Sequence, residues 1–268
     1  MKYKNILLFT DLDGTLLNKR TFDFEVAKRF IAKCLGEGIK LIANSSKTDL
    51  ELDDFCDSIN LPKVYISENG AAIYGLNRFH PNLSKQIIFS KNKDNIQEIF
   101  FRKIDISIRK KCIFLDDLPI SEQVKILGLS KEKVSKALSR KFSVPFIFQG
   151  SEIDKEELKN QLEKIQLKVQ FGGRVLNLGD NVSKGTAMNN FVNLLSSETK
   201  DKYILIGIGN DENDLDMLDK SHYSCLVKND SIKLNQFKNK YLLSEKEAPY
   251  GWVEVLKKTL YKISEKRI

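Results

Sequence analysis

The chain has 268 residues, of which 41% are hydrophobic and 30% charged, so it can form one large globular domain or two modest ones. No apolar run approaches the ~18 residues of a membrane-spanning helix, and the four cysteines form no C-x-x-C pair, which argues against a zinc site or a disulfide framework. The formal net charge is +8, but the lysines are scattered along the chain, and this scattering disfavours nucleic-acid binding. The N-terminal residues show no signal-peptide pattern, so we expect a cytoplasmic protein.

Short apolar runs alternate with amphipathic stretches in the N-terminal part, a pattern typical of βαβ units and a parallel sheet. Glu51 follows Thr48 at capping-box spacing, which predicts a helix start. The predicted elements are strand Ile6–Thr10, helix Phe24–Glu37, strand Ile39–Asn44, a helix after Thr48, strand Val64–Ser67 and a short hairpin strand at Ile73–Tyr74.

The pattern changes after Gly75, because Leu76–Leu83 is rich in Asn, Pro and Gly and is typical of a linker. Strands and helices then mix without strict alternation, which predicts an inserted α+β module. The predicted strands are Gln86–Ser90, Val144–Phe148, Leu167–Phe171 and Arg174–Leu178, and the predicted helices are Asp94–Lys103, Glu122–Leu127, Lys131–Arg140 and Lys155–Ile165.

The alternating pattern resumes near the C-terminus and completes the predicted α/β sheet. The elements are helix Thr186–Leu195, strands Tyr203–Gly207, Ser224–Val227 and Tyr241–Leu243, and a last helix Trp252–Ile263. We therefore predict a core domain formed by residues 1–82 and 179–268, with the inserted module at residues 83–178.

Two carboxylates, Asp11 and Asp13, follow strand Ile6–Thr10 in the sequence D-x-D-G-T. Residues two apart on an extended chain point to the same side, and Gly14 permits a sharp turn. Such a pair suits metal-assisted phosphoryl transfer, because one acid can attack phosphorus while the other moves a proton. The alternative is an acidic turn, since Asp-Gly is a common turn pair.

Two further stretches suit an anion. After strand Ile39–Asn44, Ser45 can hydrogen-bond a phosphate oxygen and Lys47 can add positive charge, although the same residues suit a helix-capping cluster. Lys184 lies in the first turn of a predicted helix, where its charge opposes the helix dipole unless an anion binds there. The alternative for Lys184 is an exposed side chain.

The loop after strand Tyr203–Gly207 carries the oxygen ligands Asn210, Asp211 and Asp214, which suit Mg²⁺, although an acidic solvated loop is the alternative. The carboxyl ends of parallel strands share one edge of an open α/β sheet, where such folds bind ligands. We therefore expect the four motifs to form one site, in which acids hold Mg²⁺ while Mg²⁺, Lys184 and Ser45 hold a phosphate.

The order and sequence of these four motifs resemble the haloacid dehalogenase superfamily of phosphotransferases. The resemblance implies a Rossmann-like core with a C2-type cap. It also implies that Asp11 is the nucleophile that forms an aspartyl-phosphate and that Asp13 is the general acid/base, which also gives a backbone carbonyl to Mg²⁺. Ser45 and Lys184 would bind the transferring phosphoryl group.

The fourth motif departs from the superfamily pattern, which usually reads Gly-Asp-x-x-Asn-Asp. Asn210 stands where the first Asp is expected, and Asp211 lies beside it. An Asn can still bind Mg²⁺ through its amide oxygen, so either residue can be the ligand. The metal-binding candidates are thus Asp11, Asp13, Asn210, Asp211 and Asp214.

Shorter motifs resemble one branch of the superfamily, the mannosyl-3-phosphoglycerate phosphatases. They are Asn44–Thr48, Ser67–Gly70, Gly172–Arg174 and Arg140–Pro145, the last with Lys141 and Val144 in place of two acids. The guanidinium of Arg174 also matches a carboxylate in shape, although an exposed Arg in a hairpin turn is the alternative. The substrate-binding candidates are Ser46, Lys47, Glu68, Asn69, Arg140, Ser143, Gly172, Gly173 and Arg174.

This resemblance implies a Mg²⁺-dependent phosphatase that converts 2-O-mannosyl-3-phosphoglycerate to mannosylglycerate, a compatible solute. The alternatives are a phosphatase of the glucosyl analogue, a broader sugar-phosphate or sucrose-phosphate phosphatase, and a phospho-ligand-binding regulator that has lost catalysis through Asn210. The expected partner is a small phosphorylated sugar acid, with no nucleic acid or membrane, and the oligomeric state stays open.

Overall fold

The computed structural model describes residues 3–171, 175–229, 234–237 and 239–265. Its strands are β1 (Ile6–Thr10), β2 (Lys40–Asn44), β3 (Tyr65–Ser67), β4 (Ala72–Tyr74), β5 (Gln86–Ile88), β6 (Cys112–Phe114), β7 (Ser143–Phe148), β8 (Leu167–Phe171), β9 (Leu176–Asp180), β10 (Ile204–Gly209), β11 (Tyr223–Leu226) and β12 (Leu242–Leu243). Its α-helices are α1 (Glu25–Gly36), α2 (Asp49–Ser58), α3 (Lys93–Lys103), α4 (Ile106–Arg109), α5 (Ile120–Leu127), α6 (Lys131–Leu138), α7 (Glu152–Lys164), α8 (Lys184–Thr199), α9 (Leu215–Asp219) and α10 (Tyr250–Glu265). Within these ranges, no helix combines the length and the apolar character that crossing a membrane requires.

Eight strands from both ends of the chain form the larger sheet, in the order β12-β11-β10-β1-β2-β3-β4-β5. The first six run parallel, whereas β4 and β5 are antiparallel to their neighbours. β1 lies between β10 and β2, with Leu8 beside Ile206 on one side and Leu41 on the other. The carboxyl ends of these three strands therefore meet at one edge of the sheet.

Strand β1 is buried on both faces, which explains its unbroken apolar sequence. Ile6 and Leu8 belong to a cluster with side chains of α1 and α10. Leu7 and Phe9 face the opposite side and join a cluster with side chains of α8. The residues that follow β1 therefore start from a strand that is held between two helical layers.

A second sheet, in the order β6-β7-β9-β8, is antiparallel throughout. Val144 and Phe146 of β7 and Leu178 of β9 cluster with side chains of α3 and α7. The opposite face carries Ile147 and Val175, which pack against side chains of α5 and α6. This sheet and its helices form the inserted α+β module, which we call the cap.

The predicted fold class, an α/β parallel-sheet core with an inserted α+β module, is confirmed. The prediction that strand Gln86–Ser90 belongs to the inserted module is wrong, because Gln86–Ile88 pairs with β4 at the edge of the larger sheet. The short elements β6, α4 and α9 were not predicted. The domain division at residues 82 and 178 stays a prediction.

Candidate active site

Asp11 is fixed at the end of β1 by backbone and side-chain contacts from three elements. Its N–H donates to the carbonyl of Ile208 on β10, at 2.9 Å. Its own carbonyl accepts from the Thr10 hydroxyl at 2.7 Å, and that hydroxyl in turn accepts from Nε1 of Trp252 at 2.9 Å. Helix α10 thus helps to orient the start of the D-x-D motif.

Lys184 is buried between two carboxylates. Its Nζ lies 2.7 Å from Oδ1 of Asp11 and 2.6 Å from Oδ1 of Asp214, and its side chain is only 1% exposed. Burial alone would lower the pKa of Lys184, but the two carboxylates raise it above its ordinary value. Burial raises the pKa of Asp214, although Lys184 opposes this. The first, third and fourth motifs therefore meet, as expected from the topology.

The first turn of α8 carries Lys184 to this position by close backbone contact. Gly70 has a φ of +99°, and a Cβ there would lie 2.2 Å from the carbonyl oxygen of Ser183. Nδ2 of Asn44 donates to the carbonyl of Lys184 at 3.0 Å, and the Ser183 hydroxyl caps the helix by accepting from the N–H of Thr186. Only a residue without a side chain fits at position 70.

Asn210 and Asp211, the two candidates at the departing position, have different surroundings. The Thr15 hydroxyl lies 2.9 Å from both Oδ1 of Asn210 and Oδ2 of Asp11, so these two oxygens converge. Oδ1 of Asp211 instead accepts from the N–H of Glu212 and caps the short turn that follows. Sequence reasoning assigned no role to Thr15, although it completes the D-x-D-G-T signal.

A second lysine lies between two acids. Nζ of Lys47 is 2.8 Å from Oδ2 of Asp13 and 3.3 Å from Oε1 of Glu51. Burial raises the pKa of Asp13, and the neighbouring Lys47 opposes the shift. Although burial would lower it, the pKa of Lys47 is raised by Asp13 and Glu51. Lys47, predicted to be a substrate-binding residue, is thus paired with the predicted general acid.

The two serines of the second motif face different environments. Ser45 is fully buried and is not among the residues that line the cavity beside Asp11. Its Oγ accepts from the N–H of Lys47 at 3.3 Å, so it stabilises the loop. Ser46 lines the cavity, and its carbonyl accepts from Nη1 of Arg140 at 3.1 Å. The predicted contact of Ser45 with a phosphoryl group stays a prediction.

A cavity of about 630 Å³ lies between the core and the cap. The core contributes polar groups, including Asp11, Asp13, Lys47 and Asn210. Basic side chains at Lys19, Arg20 and Lys228 also line it. The cap contributes Leu127, Leu129, Ala137, Arg140, Val175 and Asn177. A ligand in this cavity would have one end at the carboxylates and the other against the cap.

Glu68 connects the core to the cap. Its side chain is buried, and its carboxylate accepts from the N–H groups of Lys141 and Phe142 at 2.9 and 3.2 Å and from the Ser143 hydroxyl at 2.5 Å. Asn69 accepts from Nδ2 of Asn213 at 3.0 Å. Glu68, Asn69 and Ser143, predicted to bind substrate, do not line the cavity, whereas Arg140 does. Gly172, Gly173 and Arg174 lie outside the described residues.

The donor set at Asp11 fits a hard cation. In the part of the chain that the structure describes, no three His, Cys, Asp or Glu side chains form a group that could hold a metal ion. The oxygens that converge here are a carboxylate of Asp11 and the amide oxygen of Asn210. Mg²⁺ is commonly bound by one or two carboxylates with further oxygen ligands, so this smaller set is compatible with it.

Comparison with known proteins agrees with this arrangement. A family model described as haloacid dehalogenase-like hydrolase matches residues 8–249. A Persephonella marina protein named glucosyl-3-phosphoglycerate/mannosyl-3-phosphoglycerate phosphatase is 29% identical over 222 residues, covering 80% of this chain and 81% of the relative. A Methanococcoides burtonii protein of the same name is 27% identical over 262 residues, covering 92% and 94%. A Thermoplasma acidophilum crystal structure shares the fold, with a TM-score of 0.68 at 15% identity, covering 94% of this chain and 96% of that one.

Proposed function

The chain belongs to the haloacid dehalogenase-like hydrolases and is a phosphoric monoester hydrolase, and we propose that it is a cytoplasmic, Mg²⁺-dependent phosphatase of a glycosylated 3-phosphoglycerate. The observation that carries the proposal is the convergence of Asp11, Lys184 and Asn210 beside a cavity that also holds Asp13. The four groups come from three separate segments of the chain, and together they supply a nucleophile, a positive charge, a metal ligand and a second acid.

The chemistry of the site suits two displacements at phosphorus. In the first, a carboxylate oxygen of Asp11 forms a bond to phosphorus, the bond to the substrate oxygen breaks, and Asp13 gives that oxygen a proton. In the second, Asp13 takes a proton from water, whose oxygen bonds to phosphorus and releases Asp11. Lys184 stays charged throughout and orients the nucleophile.

The charges of the site favour a divalent cation. Lys184 faces Asp11 and Asp214, and Lys47 faces Asp13 and Glu51. With Asp13 protonated as the proton donor of the first displacement, the other three carboxylates and the two ammonium groups leave one negative charge. The carboxylates nearest the reacting position therefore oppose the approach of a phosphate dianion unless a cation is bound beside them. Mg²⁺ bound by Asp11 and Asn210 would supply that neutralisation. Asn210 suits the role of metal ligand better than Asp211, because its amide oxygen converges with Asp11, whereas the carboxylate of Asp211 caps a turn.

The substrate class rests on the two relatives, whose names give both the glucosyl and the mannosyl 3-phosphoglycerate. A cavity of about 630 Å³ has room for a molecule that combines a phosphate, a three-carbon acid and a sugar. Both sugars are included in the proposal. A general sugar-phosphate phosphatase is the other candidate, since the phosphoryl chemistry at Asp11 would be the same.

The proposal is tested by phosphate release from mannosyl- and glucosyl-3-phosphoglycerate, from 3-phosphoglycerate and from hexose phosphates, with Mg²⁺ or with excess chelator. Asp11→Asn should abolish turnover, because an amide cannot attack phosphorus, whereas the exposed control Asp117→Asn should retain it. Turnover by Asp11→Asn, or undiminished turnover in chelator, would contradict the chemistry. Faster release from hexose phosphates would favour the general phosphatase, and binding without release would favour a regulator.

A further inference from the structure

Asn177 is a buried polar side chain whose carboxamide has an unused acceptor. The residue is only 4% exposed, yet it lines the cavity between core and cap. Its Oδ1 has no hydrogen-bond partner among the residues that the structure describes. Buried polar groups in native proteins are nearly always hydrogen-bonded, so an unused one on a cavity wall requires an explanation.

The position of Asn177 in the cap sheet explains why it faces the cavity. Successive residues of a strand point to opposite faces. Leu176 and Leu178, its neighbours on β9, pack in the cluster formed with α3 and α7. Asn177 is therefore on the other face, as is Val175, and both line the cavity.

The cap side of the cavity is otherwise largely apolar. Leu127, Leu129, Ala137 and Val175 line it, and none of them can hydrogen-bond through its side chain. The exception besides Asn177 is Arg140, whose Nε is also buried without a partner in the described residues. The cap thus contributes two side chains to the cavity wall that each have one unused hydrogen-bonding atom, an acceptor in Asn177 and a donor in Arg140.

We propose that Asn177 determines substrate specificity by hydrogen-bonding a hydroxyl of the alcohol part of the phosphate ester. A hydroxyl is both donor and acceptor, so it can satisfy either end of a carboxamide. The proposal rests on the proposed function in one respect: it takes the bound molecule to be a phosphate ester whose alcohol part is a sugar derivative. It assigns Asn177 no part in the phosphoryl chemistry.

The expected effect follows from leaving a buried polar group unpaired. A site built to bond a hydroxyl discriminates strongly against a ligand without it, because the amide then stays desolvated and unbonded. Losing one such hydrogen bond lowers kcat/KM by about 10- to 100-fold. A substrate without hydroxyls makes no bond to Asn177 in the first place, so removing the amide leaves its turnover almost unchanged.

The test compares Asn177→Leu with wild type on glycosyl phosphoglycerates and on the hydroxyl-free p-nitrophenyl phosphate. We expect Asn177→Leu to lose about 10- to 100-fold in kcat/KM on the glycosyl substrates and less than about twofold on p-nitrophenyl phosphate. The control Asn181→Leu replaces an exposed Asn just beyond β9 and should leave both rates unchanged. Asn177→Leu should also melt at or above the wild-type temperature, because it removes an unsatisfied polar group.

Equal losses on both substrates, no loss on either, or a clear drop in melting temperature would overturn the role of Asn177. Failure of the proposed function gives a different result, since wild type would then hydrolyse hexose phosphates but not glycosyl phosphoglycerates. The effect of Asn177→Leu is then compared on hexose phosphates and p-nitrophenyl phosphate. A loss of kcat/KM on the hexose phosphates alone would still support the role of Asn177 in specificity. If wild type hydrolyses no hydroxylated ester, both proposals fail.

Discussion

Glu68→Gln tests whether the carboxylate of Glu68 holds the cap on the core or binds substrate. Oε1 accepts from the N–H of Lys141, and Oε2 accepts from the N–H of Phe142 and the hydroxyl of Ser143. Gln has the same shape but only one acceptor oxygen. Its less costly orientation keeps the two bonds at Oε2 and turns the amide nitrogen towards the N–H of Lys141.

The magnitude follows from that arrangement. One N–H at the core–cap boundary loses its acceptor, which costs about 1–3 kcal/mol. The two remaining bonds weaken as the charge is removed, but burying a neutral amide costs less than burying a carboxylate, so these two effects offset each other. We therefore expect the free energy of unfolding to fall by about 1–3 kcal/mol.

Urea unfolding of Glu68→Gln measures this change, with Glu98→Gln as the control. Glu98 pairs with Arg102 on an exposed face of α3, and its side chain is 62% exposed, so its loss should change stability by less than about 1 kcal/mol. Unchanged stability together with a large rise in KM would refute the reasoning and restore Glu68 to the predicted role in substrate binding.

Three other outcomes follow from the site and its surroundings. Gly70→Ala should abolish activity and lower stability, because its Cβ would lie 2.2 Å from the Ser183 carbonyl oxygen at a φ of +99°. The control Gly36→Ala should be tolerated, since no atom lies within 4 Å of its Cβ. Melting temperature and phosphate release are measured for both variants. Asn210→Ala should raise the Mg²⁺ concentration needed for half-maximal rate more than Asp211→Ala, and the opposite order would make Asp211 the ligand. Burial raises the pKa values of the four cysteine thiols to about 11 or 12. These thiols should therefore react slowly with a disulfide reagent at pH 8 and faster as the pH rises towards those values. Rapid reaction of the native protein at pH 8 would contradict this.

The sequence was sufficient to predict the central strands and their chemistry. The apolar runs of β1, β2 and β10 are unmistakable because these strands are buried on both faces, and parallel strands bring the groups that follow them to one edge. Asp11, Lys184 and Asp214 could therefore be placed together without any structure. The capping box at Thr48 and Glu51 likewise fixed the start of α2, since it depends on local spacing alone.

Contacts between residues that are distant in the sequence could not be predicted in this way. β5 belongs to the larger sheet because it pairs with β4, and nothing in its three residues specifies that partner. The choice between Asn210 and Asp211 depends on Thr15, 195 positions from Asn210 in the chain. Asn177 gave no signal, because a single Asn in a strand becomes informative only when its partners are known to be missing.

The loop formed by residues 45–49 contacts both the core side and the cap side of the cavity. Lys47 pairs with Asp13, while the Ser46 carbonyl and the Thr48 hydroxyl bond to Arg140 and to the carbonyl of Lys136 in the cap. The lysine that pairs with the predicted general acid and two of the hydrogen bonds to the cap therefore belong to one short segment. A substitution in this segment is therefore expected to alter the cavity and the attachment of the cap together.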